Sequence, residues 1–316
     1  MKVSIIIRAY NEESHIGKLI SGIDMQEVEP DITCEVILVD SGSTDKTVEI
    51  AKSMGAKIVH IKKTDFSFGK ALNLGCEHST GDFLLFASAH VYPVYSNWIQ
   101  KMIYPFLQND RIGLVYGKQV GNDKTYFSEK QIFRKWFPSN SDYNQKTPFC
   151  NNANCAIRRK LWEQYPYDET LSGLEDMDWA KSIMAGGQII AYEAEAEIVH
   201  VHDETPDKIR HRYMREAIAM KKINPEITFS RWNYYLLLSG HIISDSIQAI
   251  KEGIFFKEIS DIMMFRKNQI KGTYQGYNLE ESISKELKNR FYYPNTINKR
   301  NFSDNNNERN RITYID

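Results

Sequence analysis

An α/β fold built on a largely parallel sheet is the architecture that this sequence predicts, on three observations. Short apolar runs alternate with stretches of helical periodicity through the first half of the chain. The apolar runs are nearly continuous, as in strands buried on both faces. Polar clusters, Arg8–Asn11, Asp40–Asp45 and Ser88–His90, follow three of those runs directly. Ligands of such sheets bind beyond the carboxyl ends of the strands, so these clusters are expected along one rim.

The elements follow in order. Val3–Ile7 reads as a strand, and Glu12–Ile23 as a helix carrying Ile16, Leu19, Ile20 and Ile23 on one face. Glu35–Val39 is a second strand; Ser43 or Thr44 can cap a helix running to Met54. Lys57–Ile61 is a third strand, Gly69–Cys76 a helix and Phe83–Ala87 a fourth strand. Beyond these, strands are expected at Ile112–Tyr116, Asn154–Ile157, Gln188–Ala191 and Ala196–His200. Helices are expected at Tyr126–Trp136, Arg158–Gln164 and Leu174–Met184, with a polar loop at Pro138–Pro148. From Thr205 the character changes to a charged helix, Asp207–Lys222, and two amphipathic helices, Phe229–Ile250 and Ile254–Tyr277. The division is therefore 1–225 for an α/β domain, 226–277 for a helical extension and 278–316 for a polar, Asn-rich tail that is disordered or loosely docked.

A chain of 316 residues is long enough for a full core, and a net charge of −1 gives no global reason to bind nucleic acid. The basic clusters at Lys118–Lys135 and Lys208–Lys222 read as solvated surface. Four scattered cysteines without a C-x-x-C pair argue against a disulfide framework or a structural zinc site and suit a reducing cytoplasm. No apolar stretch reaches the roughly 20 residues that span a bilayer.

Four motifs carry candidate chemistry. In VILVDSGSTDKT a buried strand delivers Asp40 to a Gly-Ser turn; its carboxylate suits a nucleobase N–H or ribose hydroxyls, or simply closes an Asx turn. In SFGKALNLG, Lys70 stands at a helix start, placed to neutralise a phosphate or merely exposed, with Asn73 one turn on. In LSGLEDMDWAK, Glu175, Asp176 and Asp178 open a helix. Neighbouring carboxylates raise each other's pKa, as a general base requires, although acids in a first turn also offset the helix dipole. In EIVHVHDET, His200 and His202 share a strand face and suit a divalent metal or a phosphate, or form an exposed pair.

In this order the motifs resemble the inverting family-2 glycosyltransferases of GT-A fold. IIIRAYNEESHIGKLI is similar to the family's opening strand, turn and helix, VILVDSGSTDKTVEIA to its nucleotide-binding motif, and FSFGKALNLGCEHSTGDFLLF to the segment leading to its central strand. FCNNANCAIRRKLWEQYPYDETLSGLEDMDWAKSIMAGG is similar to its acceptor loop and catalytic helix. The resemblance covers about the first two-thirds of the chain. It implies sugar transfer from a nucleotide diphosphate donor (UDP, dTDP or GDP) to a saccharide or lipid-linked acceptor. It places Asp40, Ala9, Tyr10, Asn11, Lys70 and Ser88 at the nucleotide, Asp176 as base and Glu175 beside it. The family's Asp-x-Asp is Ser88-Ala89-His90 here. His90, with His200 or His202, is then a ligand of Mn2+ or Mg2+ or a direct diphosphate partner, and imidazole suits Mn2+ better than Mg2+. Similar bacterial enzymes build surface polysaccharides, which implies a cytoplasmic protein with peripheral contact to the inner membrane face through the helix carrying Arg231, Trp232, Tyr234 and Tyr235. The alternatives are a non-catalytic nucleotide-sugar-binding protein, which the altered Asp-x-Asp suits, and a nucleotidyltransferase, which lacks the Gly-rich phosphate loop it needs in RAYNEESH.

Overall fold

The structure, a computed structural model, describes residues 1–279 and 311–314. A nine-stranded sheet carries the fold, in the order β3-β2-β1-β4-β8-β6-β9-β5, with β7 also paired to β9. Its first part is wholly parallel: β1 (Lys2–Ala9) lies between β2 (Thr33–Asp40) and β4 (Phe83–Ser88), and β3 (Lys57–His60) flanks β2. These strands alternate between two cores. Ile5, Ile7, Leu38 and Leu85 face one, and Ile6, Ile37, Val39, Leu84 and Phe86 face the other. Period-two alternation with both faces apolar is why the runs look continuous in sequence.

The expected elements of the first half are present with shifted ends. Helix α1 spans Ile16–Asp24, and α2 spans Thr47–Ser53. Neither Ser43 nor Thr44 caps α2; its N-cap is Lys46 without a side-chain cap, and the Asp45 carboxylate just before it accepts from the Thr47 amide at 3.0 Å. Helix α3 (Phe68–Glu77) is capped by Ser67, which accepts from the Lys70 amide. Asn73 is structural: buried, it bonds the Tyr167 carbonyl and accepts from the Trp162 indole.

The second part of the sheet is mixed. Strand β8 (Asn154–Arg158) runs antiparallel between β4 and β6 (Ile112–Val120). Beyond β6 lies β9 (Ile189–His200), parallel to it and one continuous strand where two were expected. Register shifts between β6 and β9 absorb the break suggested by Glu193–Glu195. Three elements went unanticipated: β5 (Val91–Pro93), α4 (Trp98–Gln108) and β7 (Asp142–Gln145), the last inside the expected polar loop. Helix α4 buries Trp98, Ile99, Met102, Ile103 and Phe106 despite Pro105. The remaining helices of the α/β layer are α5 (Phe127–Trp136), α6 (Arg159–Gln164) and α7 (Glu175–Ala185).

Helices α8 (Pro206–Ile223), α9 (Arg231–Lys251) and α10 (Phe255–Tyr277) follow. A β-carbon at Gly272 or Gly276 would strike the Arg210 or Met214 carbonyl, so these glycines let α8 and α10 pack closely. Asp245 of α9 and Arg266 of α10 form a buried ion pair at 2.7 Å that also holds Ser128 of α5. Most apolar side chains of α9 stay exposed, among them Trp232, Tyr235, Leu236, Ile243, Ile247 and Ile250. Within α9 only Asp245 and Ala249 are fully buried. Most of the expected tail, residues 280–310, lies outside the described residues. Arg311–Tyr314 are seated on β5, with the Ile312 amide donating to the Val94 carbonyl at 2.9 Å and the Tyr314 hydroxyl to the Pro93 carbonyl at 2.7 Å.

Candidate active site

Strand register sets the site. Asp40 pairs with Ala9 and with His60, and Arg8 pairs with Ser88, so β3, β2, β1 and β4 deliver these residues in a row to one rim. Asp40 is 2% exposed, and its carboxylate accepts from the Gly42 amide at 3.0 Å and the Ser43 amide at 3.1 Å. The turn is possible because Gly42 takes a φ of +91°. The Asx-turn reading is thus real, and His60 adds a contact at 3.3 Å on the solvent side.

Tyr10 and Asn11 follow on the same rim. The Asn11 backbone is left-handed, with φ 55°, and its side chain accepts from the Thr44 amide at 2.8 Å. The Tyr10 ring lies under the Lys63 ammonium, which also donates to its hydroxyl at 2.8 Å. Lys63 in turn passes close to Gly42. Lys63 therefore places a cation beside the Asp40 turn. Lys70 stands in the first turn of α3, whose Gly69 packs against the Asp168 carbonyl.

Arg8 connects this rim to α7. Its guanidinium donates to Glu175 at 3.1 Å and stacks on Phe68 at 4.7 Å, while Arg215 of α8 covers Phe68 at 4.8 Å. Glu175 is buried, so a charge-assisted bond there is strong. Leu174, immediately before it, has φ 56°, an uncommon conformation for leucine that turns the chain into α7. Asp176 is half-buried. It accepts from the Asn152 amide at 3.0 Å and the Met177 amide at 2.8 Å. Burial, then the charge of Glu175, pushes its carboxyl up to about 7, against those two amides and the Arg8 charge. A carboxyl held there can exchange a proton near neutrality.

The histidines gather at the far end of the rim. Val91 pairs with His200 across β5 and β9, and the Val201 amide donates to the His90 carbonyl, which brings His90 up to the end of β9. His200 and His202 approach Nε2 to Nε2 at 3.0 Å, and one nitrogen from each of His90, His200 and His202 lies within 4.8 Å of the others. Each Nδ1 meets an oxygen: Glu12 for His90 at 2.8 Å, Gln119 for His200 at 2.7 Å and Glu129 for His202 at 2.6 Å. Burial works against the charged form of His90, but the Glu12 carboxylate outweighs it and raises its pKa. Burial and the neighbouring His202, His90 and Arg212 hold His200 neutral. Arg212 bonds both Glu129 and Glu204 at 2.6 Å. The basic cluster that read as solvated surface thus contains a buried guanidinium at the site. Glu12, Gln119, Glu129, Arg212 and Asn152 were all missed as site residues. Only Arg8, a charge ending an apolar strand and already placed on the rim, carried a sequence signal.

An α/β sheet that gathers polar and charged residues at its strand ends defines the class, and solved structures share it. A mannosyltransferase from Pyrobaculum calidifontis in complex with GDP-Man and Mn2+ superposes with TM-score 0.62 at 16% identity, over 88% of either chain. Staphylococcus aureus TarS in complex with UDP gives 0.55 at 17% identity, over 89% of this chain and 93% of that one. These likenesses establish the GT-A fold. In sequence, the chain is 29% identical over 236 residues to the O-antigen chain rhamnosyltransferase of Salmonella typhimurium, covering 69% of this chain and 72% of the relative. Residues 4–165 match the family model for glycosyl transferase family 2, and the chain belongs to that family. It is a glycosyltransferase.

Proposed function

We propose that this enzyme moves a sugar, with inversion, from a nucleotide diphosphate donor to a hydroxyl of a saccharide or lipid-linked acceptor in bacterial surface-polysaccharide synthesis. The observation that carries this reading is the Arg8–Glu175 pair, which ties the helix bearing Asp176 to the strand ends bearing Asp40 and Ser88. In this reading the base and the nucleotide residues belong to one donor site.

In this mechanism Ala9–Asn11 and Asp40 bind base and ribose, Ser88 bonds a ribose hydroxyl, and Lys63 and Lys70 lie near the phosphates. Asp176 takes the proton of the acceptor hydroxyl as that oxygen attacks the anomeric carbon; the anomeric bond to the diphosphate breaks on the opposite face. Arg8 holds Glu175 and thereby the first turn of α7. The histidine cluster would hold a divalent ion through its convergent ring nitrogens, and such an ion would supply positive charge beside the leaving diphosphate. The two solved neighbours named above hold different nucleotides, GDP-Man and UDP, so a panel of UDP, GDP and dTDP sugars is the test. Mixing donor and lipid-linked acceptor should release nucleoside diphosphate together with glycosylated acceptor. Binding of every donor without transfer to any acceptor would favour a non-catalytic sugar-nucleotide sensor.

The exposed side of α9 supports attachment to an anionic bilayer surface. Its apolar stripe, from Trp232 to Ile250, runs the length of the helix between Arg231 and Lys251, and its sole carboxylate, Asp245, is buried against Arg266. No helix among the described residues is long and apolar enough to cross a membrane, and an attached α9 would lie along the bilayer surface. Sedimentation with vesicles should show binding to anionic but not neutral lipid, reduced roughly tenfold by Trp232→Asp. Equal recovery in the supernatant with both would remove the attachment.

A further inference from the structure

We infer that His90, His200 and His202 form an all-imidazole cation centre that takes a borderline first-row ion, Zn2+ or Co2+ ahead of Mn2+, and does not take Mg2+. The inference deepens the divalent-ion part of the proposed function and rests on it for the role of the ion, but not for its binding chemistry.

The tautomers carry the argument. Carboxylate and amide oxygens accept, so the contacts to Glu12, Gln119 and Glu129 put a hydrogen on every Nδ1. In each neutral ring Nε2 is then left with a lone pair. Outer carboxylates and amides that fix imidazoles in this way are the habit of metal-binding histidines. The Nε2 atoms of His200 and His202 are 3.0 Å apart, where two lone pairs repel. A cation between them removes the conflict. Metal–nitrogen bonds of about 2.1 Å at the tetrahedral angle would hold the two donors about 3.4 Å apart, a few tenths of an ångström from the separation seen. His90 is the most exposed of the three, so the cluster is reachable from solvent on its side.

Donor type then selects the ion. Mg2+ asks for oxygen ligands and keeps its waters, whereas imidazole favours zinc, iron and cobalt over manganese. A rival grouping of Glu129, His202 and Glu204 is also within ligand distance. Its two carboxylates already share the Arg212 guanidinium, which would oppose a cation there. A proton is the other occupant to exclude. With the Gln119 amide reversed, His200 could donate to His202 and the pair would need no ion.

The test uses the full chain, stripped with chelator. Titration calorimetry and the visible spectrum of Co2+ should show one ion per chain with nitrogen ligation. Zn2+ and Co2+ should raise the melting temperature, and millimolar Mg2+ should leave it unchanged. His90→Ala and His202→Ala should each weaken Co2+ binding at least a hundredfold, and Glu129→Gln about 10–100-fold. Circular dichroism monitors folding, and His90→Ala, at the partly exposed rim, tests the centre if a buried variant fails to fold. Mg2+ binding as tight as Co2+, or no ion bound by the folded chain, would overturn the inference. Because none of these readouts needs turnover, Co2+ binding without sugar transfer would sink the proposed function alone. Transfer by a protein that binds no ion would sink the inference alone.

Discussion

The two ends of the rim are built differently. At the Asp40 end the two aspartates meet near neighbours: Gly42 and Ser43 close the turn on Asp40, and Asp45 receives the start of α2. The polar groups there are mutually satisfied before any ligand arrives. At the other end the partners come from afar. Arg8 meets Glu175 across 167 residues, and His202 meets Glu129 across 73. Strain and unmet demand collect there: left-handed Leu174, a carboxyl on Asp176 displaced upward, and two Nε2 atoms facing each other. Gln119 Nε2, Glu129 Oε2 and Arg212 Nε, all beside the histidines, are buried polar atoms without a hydrogen-bond partner. The difference teaches that the first end is a preorganised binding surface and the second is where reactivity is concentrated.

The largest expected effect is at Asp176. Asp176→Asn should lower kcat by about 10²–10⁴-fold, since that is what base catalysis contributes. Asparagine still offers an oxygen to the Asn152 or Met177 amide, so the fold should persist. Turnover close to that of the parent would move the base elsewhere and erase the contrast between the two ends.

Support for the reactive end reaches into the last helices. Ser128 is held by Asp245 and Arg266, and its neighbour Glu129 holds His202. Arg266→Met leaves Asp245 buried without its cation and should destabilise the chain by about 3–5 kcal/mol in denaturant melts. It should also weaken Co2+ binding while sparing nucleotide affinity. Loss of both affinities in the still-folded variant would show that the ends are not separable.

This contrast also explains what could be read from sequence. Asp40, its turn and the four parallel strands were legible because local periodicity and turn chemistry specify them. Glu175 and Asp176 were legible as a motif. His90 was singled out, yet its seat beside His200 depends on β5, a strand too short to show period-two alternation. Glu129 looks like any acid in a first helical turn, and Arg212 like any surface cation of a charged helix. Only tertiary packing makes them partners. Trp98 and its neighbours in α4 were passed over because Pro105 interrupts the helical pattern.

A smaller effect belongs to the preorganised end. Asp40→Asn keeps one oxygen for the turn but removes the negative charge and the second acceptor. Nucleoside diphosphate affinity should fall about 10- to 100-fold, the range of one or two charge-assisted bonds. An unchanged affinity would leave Asp40 as a turn residue and nothing more.

The smallest effect sharpens the electrostatics of the reactive end. Asp176 faces Glu175, which raises its carboxyl, and Arg8, which opposes that rise, with burial the leading cause. The base form is the ionised one, so kcat/KM should climb about tenfold per pH unit below about 7 and level off above it. Stability must run the other way. With a folded pKa above the usual carboxylate range, the native chain holds this proton more tightly than the unfolded chain. Stability from this group is greatest at low pH and declines as pH rises from about 4 to about 7. Removing the charge should therefore help the fold where it harms catalysis. Asp176→Asn should melt a few degrees above the parent at pH 8, with the gap closing toward pH 4. A gap that is absent at pH 8, or widens in acid, would mean that Asp176 carries no raised pKa and that its neighbours satisfy it as fully as those of Asp40.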